Sequence, residues 1–293
     1  MSPPLKNICL TFFALHLCAP LPALTRQELN RREQSLKIAI REVAKAADSK
    51  QKLALNSAFA AQLEQVLRED SAFFYAFDSI PHLYRVASPD GLARLITWNV
   101  PTDGGQKYFG FALVRSSDTS ARAALHVLRD RRPATRLAES KTLTADEWFG
   151  ALYIKLVEKR NARTGKPTYT LIGISPGSNG VSNRKVVDVL SVSDSGGCSF
   201  GAPIFVKKGK VTHRMIFEYS AEAVMELRYH EESGQIIFSS LVPMYAQLRG
   251  RYETYIPNDA YNALRFENSR WIFYENVDPP SSVAVRRWGR RNR

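Results

Sequence analysis

The stretch Gly173-Ile174-Ser175-Pro176-Gly177 spells the G-x-S-x-G turn that lifts a nucleophilic serine between a strand and a helix. In that device the backbone N–H of the residue after the serine helps hold the oxyanion. Here that residue is Pro176, which has no N–H to give. The residues that follow, Ser178-Asn179-Gly180-Val181-Ser182-Asn183, have loop chemistry and do not open a helix. The stretch therefore reads as a loop closing a strand. Cys198, in Gly196-Gly197-Cys198-Ser199, is a second potential nucleophile, but no histidine neighbours it in sequence. A lone cysteine reads as a small apolar residue.

Metal and acid–base chemistry find little support in the spacing. His82, His126, His213 and His230 stand singly, with no H-x-x-x-H and no cysteine pair. Asp188, Asp194, Glu218 and Glu226 could supply the two carboxylates of a glycoside hydrolase. Among 28 acidic residues, however, such pairings arise without design. No phosphate-cradling loop or dinucleotide fingerprint is present. The expectation is no catalytic residue, no metal and no cofactor.

The first 23 residues read as an export signal. Lys6 is the only charge before Arg26, Ile8 to Leu17 form a short apolar run, and Ala19-Pro20-Leu21-Pro22-Ala23 supplies small residues at a cut after Ala23. That run is shorter than the roughly 20 apolar residues of a membrane span. Cys9 and Cys18 would leave with the signal. Cys198 alone would remain, which excludes an intramolecular disulfide framework. Charge adds a further constraint: the formal net charge of +13 falls to +12 on losing Lys6. Part of the excess sits at the far end, where Arg286, Arg287, Arg290, Arg291 and Arg293 surround Trp288. These arginines are electrostatic candidates for contact with lipopolysaccharide phosphates or acidic glycans. Export argues against nucleic acid as the partner.

Two kinds of element must carry whatever site exists. Thr25 with Glu28 has capping-box spacing. Apolar stripes at Leu29, Leu36, Ile40, Val43, Ala47 and at Leu55, Phe59, Leu63, Val66, Leu67 then predict a helical hairpin or bent helix over 26–68, broken at Asp48-Ser49. Beyond Phe73 the period changes. Short apolar runs at 92–100, 108–114, 125–128, 148–157, 168–174, 186–192, 202–206, 214–219, 224–229, 236–241, 252–256 and 270–274 predict strands. Turns such as Asp103-Gly104-Gly105, Lys208-Gly209 and Glu232-Ser233-Gly234 separate them. The expected fold is mainly β, an antiparallel meander with an N-terminal helical hairpin. Sandwich, barrel and partial propeller all stay open. The expected layout is a signal (1–23), a helical segment packing on the body (24–70), a β domain (71–280) and a basic tail (281–293). The predicted strands carry Trp98, Trp148, Trp271, Tyr108, Phe109, Phe111, Tyr219, Tyr229 and Phe273, read as core rather than as a sugar-stacking platform.

The motifs Leu95-Ile96-Thr97-Trp98-Asn99-Val100, Tyr108-Phe109-Gly110-Phe111, Trp148-Phe149-Gly150-Ala151-Leu152-Tyr153, Tyr169-Thr170-Leu171-Ile172-Gly173, Phe200-Gly201-Ala202-Pro203-Ile204-Phe205 and Arg214-Met215-Ile216-Phe217-Glu218-Tyr219-Ser220 go further. As a set, spanning roughly 73–278, they resemble an uncharacterised family of exported proteins of Gram-negative bacteria. The resemblance implies an envelope or extracellular location and supplies no activity, ligand or catalytic residue. Related sequences carry Trp-Asp-Gly where this chain has Ile174-Ser175-Pro176, which weakens any nucleophilic role for Ser175 further. The expectation is a non-enzymatic exported protein, periplasmic or surface-associated, that binds an envelope protein or polymer. A glycan-binding or glycan-processing protein is the alternative.

Overall fold

The computed structural model describes residues 24–115, 122–132, 138–177 and 180–278. The N-terminal region forms two helices, α1 (Arg26–Lys45) and α2 (Ser49–Leu67), folded as a hairpin. The capping box is present: the Glu28 N–H donates to the Thr25 hydroxyl at 3.2 Å, and the Thr25 N–H donates to the Glu28 carboxylate at 2.8 Å. Asp48 caps α2, accepting from the Gln51 N–H at 2.8 Å. Two of the first turn's orphan donors are thus satisfied in α1 and one in α2.

Sixteen strands follow. They are β1 (Tyr84–Ala87), β2 (Ala93–Thr102), β3 (Gly105–Val114), β4 (Ala124–Arg129), β5 (Leu143–Thr144), β6 (Leu152–Arg160), β7 (Pro167–Ile174) and β8 (Ser182–Val192). After them come β9 (Cys198–Phe200), β10 (Phe205–Lys207), β11 (Lys210–Thr212), β12 (Met215–Ser220), β13 (Leu227–His230), β14 (Gln235–Pro243), β15 (Tyr255–Glu267) and β16 (Arg270–Val277). They build three sheets and no closed barrel. The first is a plain meander, β1-β2-β3-β4. The central one runs β5-β9-β8-β7-β6, with β12 also paired to β8. The third runs β11-β10-β16-β15-β14-β13 and is antiparallel except where β10 lies parallel to β16.

Strand alternation sorts the side chains into layers. On β2, Ile96, Trp98 and Val100 pack against the helices, with Leu36, Ile40, Phe59 and Leu63. Ala93 and Leu95 face the other way, into a core shared with Tyr169, Leu171, Val186 and Leu190 of the central sheet. The central sheet turns Ile172, Val187 and Val189 toward the third sheet, where they meet Ile236, Phe238, Leu264 and Trp271. The stacking order is helical hairpin, first sheet, central sheet, third sheet. Two of the three sheets are buried on both faces, so the apolar runs there are nearly continuous, as in 93–100 and 186–190.

Polar bridges pin the layers together. The Trp98 indole N–H donates to Asn56 of α2 at 2.7 Å, and the Trp271 indole N–H donates to Thr170 of β7 at 2.9 Å. The buried Arg94 reaches the carbonyls of Ala72 (3.0 Å) and Phe73 (2.6 Å), which end the chain's approach from α2.

Four predicted strands need correction, one of them 224–229, which is strand only from Leu227. The run at 148–157 enters the sheet only at Leu152. Gly150 lies at φ +73°, where a side-chain carbon would meet the Asp130 carboxylate at 2.6 Å. The run at 202–206 is strand only from Phe205. The run at 252–256 opens with a short 3-10 turn, Tyr252–Thr254, while the strand itself extends on to Glu267. Pro257-Asn258-Asp259 have turn chemistry but lie within this strand. Pro257 is accommodated because it pairs with Leu241 next to a bulge, where a missing N–H does no harm.

Candidate functional site

Ser175 is fully buried and its hydroxyl is occupied. It donates to the Gly150 carbonyl and accepts from Arg132, both at 3.1 Å. The Arg132 guanidinium forks onto Asp130 at 2.9 and 2.8 Å, donates to the Gln106 carbonyl at 2.7 Å and lies 3.9 Å over the Tyr108 ring. In turn the Tyr108 hydroxyl donates to the Pro176 carbonyl at 3.0 Å, and burial pushes that phenol up to about 12. The turn that resembled a nucleophile elbow is thus a clasp between the first and central sheets. Cys198 is half-buried, and burial raises its thiol to about 12. At pH 8 the reactive thiolate is therefore a small minority. A disulfide reagent at that pH should label the native protein at a small fraction of the rate seen in denaturant; equal rates would contradict this burial.

The histidines and acids scatter. His126 contacts the Gly196 carbonyl at 2.8 Å, His213 contacts Thr142 at 3.0 Å and His230 contacts Ser233 at 3.3 Å. His82 is exposed on a turn at φ +59°. Among the described residues, no three His, Cys, Asp or Glu side chains are grouped to hold a metal. The four acids read as possible partners are each engaged by a different cation: Asp188 by Arg214, Asp194 by Lys166, Glu218 by Arg184 and Glu226 by Arg228.

Asp188 and Arg214 form a feature that the sequence reading did not find. Both are fully buried, with the Arg214 Nε 3.1 Å from the Asp188 carboxylate. The contact is ionic rather than a well-aligned hydrogen bond, since the N–H does not point along that line. The other guanidinium nitrogens donate to the carbonyls of Phe200 (2.8 Å), Lys141 (3.1 Å) and Ala138. On the far side, the Tyr153 hydroxyl donates to Asp188 at 3.4 Å and accepts from the Trp148 indole at 3.0 Å. Burial pushes the Asp188 carboxyl up and Arg214 opposes it. With no solvent access, this network is an internal strut that fastens the 138–141 segment to β8 and β9.

The aromatics read as core are mostly core. Trp98, Trp148, Trp271, Tyr108, Phe111 and Tyr219 are buried, while Phe109, Tyr229 and Phe273 are half-buried. Phe273 lines a cleft of about 890 Å³ between the central and third sheets. Three rings from three strands meet there, Phe217 and Phe273 half-buried and Phe238 only 1% exposed. Phe217 of β12 lies 4.7 Å from Phe238 of β14, which lies 5.5 Å from Phe273 of β16. Tyr252 and Tyr255, 5.1 Å apart, form one wall, and Tyr252 is 58% exposed. Hydroxyls of Ser140, Thr212 and Ser240 also line it. Across the cleft stand Lys207 and Lys210 of the β10–β11 hairpin, with the Lys207 ammonium 4.2 Å over the Phe273 ring.

No family model, no curated protein and no solved structure matches this chain. Rings for stacking, hydroxyls for hydrogen bonding and ammonium groups for an anion converge in the cleft, the combination that orients a ligand in a largely preformed site. Arg132 and Arg184 continue the lining into a neighbouring hollow of about 710 Å³ with Lys107 and Arg129. Sequence reasoning missed Phe217, Phe238, Tyr252, Tyr255, Lys207 and Lys210. The arginines proposed from sequence, Arg286 to Arg293, and the signal at 1–23 lie outside the described residues. Among the described residues, no helix is long and apolar enough to cross a membrane.

Proposed function

We propose that this chain is an exported, non-enzymatic binding protein of the cell envelope that holds an elongated glycan in the cleft between its central and third sheets. The observation that carries the reading is the half-exposed Phe217 and Phe273, backed by the buried Phe238, with the exposed Tyr252 at the cleft wall. Apolar ring surface beside hydroxyl and amide groups suits a sugar, which has flat C–H faces and a rim of hydroxyls. The sequence adds support through the apolar leader ending at Ala23 and the basic surplus, which favour an envelope partner of opposite charge.

Two measurements test it. On a panel of bacterial envelope polysaccharides, the protein should retain specific members, and Tyr252→Ala should weaken that retention roughly tenfold without shifting the unfolding midpoint. Unchanged retention by the variant would remove the cleft from consideration. Expressed with its leader in a Gram-negative host, the protein should be recovered from the envelope fraction with Leu24 as its first residue. An intact Met1 chain in the cytosol would refute the export half of the proposal.

A further inference from the structure

β10 and β11 are joined by a two-residue turn, Lys208-Gly209, with both residues at positive φ (50° and 78°). This is the tight hairpin turn whose twist matches its strands. It places Lys207 and Lys210 directly opposite each other, as the pair that flanks the turn. Side chains so paired share one face of the ribbon, and like charges there repel. The face they share is that of Phe273, toward the cleft.

Both ammonium groups are exposed, and Lys207 has a cation–π contact with Phe273. Neither ammonium has a carboxylate within ion-pair distance among the described residues, although the cleft contains three acids. Each of those is committed elsewhere: Glu275 to Lys208 at 3.1 Å, Glu218 to Arg184 at 2.9 Å and to the Ser182 hydroxyl at 2.6 Å, and Glu139 to the Ile216 N–H at 3.0 Å. The lysine of the turn is thus neutralised while the two that face the cleft are not. Lys207, seated over the Phe273 ring, keeps its charge beside the cleft. Lysines on an edge strand commonly guard against strand addition, and β11 is an edge strand. Lys207 and Lys210 are both exposed, so that role applies to them as well; what it does not require is that both line the cleft, one of them over Phe273.

We infer that Lys207 and Lys210 form an anion clamp and that the ligand of the cleft is an acidic glycan whose carboxylate the two ammonium groups bind. This inference rests on the glycan reading above and sharpens it to a substrate class. No bond is made or broken; the step is binding, and its electrostatic part weakens with added salt.

The test is calorimetric titration of the whole protein with an oligogalacturonate, a neutral cello-oligosaccharide of equal length and a polyglutamate peptide. The oligogalacturonate should bind at low salt and lose affinity as salt rises. In the Lys207→Gln/Lys210→Gln double variant its affinity should fall at least about tenfold and lose most of its salt dependence. The Lys207→Arg/Lys210→Arg variant should retain most of the binding. Thermal unfolding of all variants confirms that the exposed substitutions leave the fold intact. Equal binding of the neutral and acidic sugars would overturn the clamp and leave the glycan cleft standing. Polyglutamate binding without oligogalacturonate binding would overturn the glycan assignment. Undiminished oligogalacturonate binding by the glutamine variant, accompanied by aggregation, would reduce the lysines to edge protection.

Discussion

Replacing Asp188 with asparagine should destabilise the protein by about 3–5 kcal/mol, the range seen when one partner of a buried ion pair is removed. The side chain keeps its shape, and the oxygen that accepts from the Val189 N–H at 2.8 Å can remain. What is lost is the charge facing Arg214, a guanidinium with no exposed surface and no second acid within reach. Denaturant unfolding at neutral pH measures the loss, and a change under 1 kcal/mol would mean that the three carbonyls around Arg214 suffice to hold its charge. The reverse substitution, Arg214→Met, should behave differently. Asp188 can then escape its penalty by taking a proton, since burial already raises its carboxyl. A carboxyl raised in the folded state leaves stability intact below the unfolded value of about 3.9. That stability is lost as pH climbs through the folded value. Arg214→Met should therefore be closer to the parent protein at pH 5 than at pH 8, whereas Asp188→Asn should lack this slope.

Trp98→Ala should cost a further large amount, about 3–5 kcal/mol from the cavity alone. The indole is 1% exposed and touches Phe59 edge-on at 5.4 Å and Phe109 and Phe111 at 5.8 and 5.7 Å. Its N–H donates to the buried Asn56 carbonyl oxygen, and losing that bond adds about 1–3 kcal/mol for an unsatisfied polar group. Because these contacts join α2 to β2, the damage should concentrate at the helical hairpin. Trypsin should cut at the many lysines and arginines of 26–68 in the variant well before it cuts the sheets. Should the hairpin stay as resistant as in the parent, its docking is held elsewhere. Trp98→Phe should fall between the two, keeping most of the packing while stranding Asn56.

The helices were legible because their signals are local. The Thr25–Glu28 cap, the Asp48 break and the apolar stripes all sit within a few residues of the structure they specify. Most strands were legible for the same reason. The turn at Asn268-Ser269 was not: both residues take positive φ (49° and 66°) without a glycine to mark them. Strand β15 hid behind Pro257-Asn258-Asp259, whose turn chemistry is overridden by its neighbours and a bulge. The rejection of Ser175 was readable from Pro176 alone. Its true use as a clasp was not, because Arg132, Gln106 and Gly150 come from distant strands. The cleft was illegible on the same ground. Its rings need β12 paired to β8 and β14 joined through β15 to β16, and no window of sequence contains that register. One clue was present: two lysines symmetrically flanking Lys208-Gly209 would be opposed in any two-residue hairpin, whatever its surroundings.

The parallel seam between β10 and β16 has a consequence for how the molecule matures. A polypeptide emerges N-terminus first, from a ribosome or through a translocation channel alike. The first and central sheets can gather most of their strands as they appear. The 205–212 ribbon must wait, one flank unsatisfied, until 270–277 has been delivered. Pairing across so long a separation is slow, because chain closure must precede any gain in contacts. The ribbon carrying the two opposed ammonium groups therefore cannot complete its pairing before Arg270 and the residues after it have been made, and nascent chains stalled short of Arg270 would display those charges on an unfinished margin.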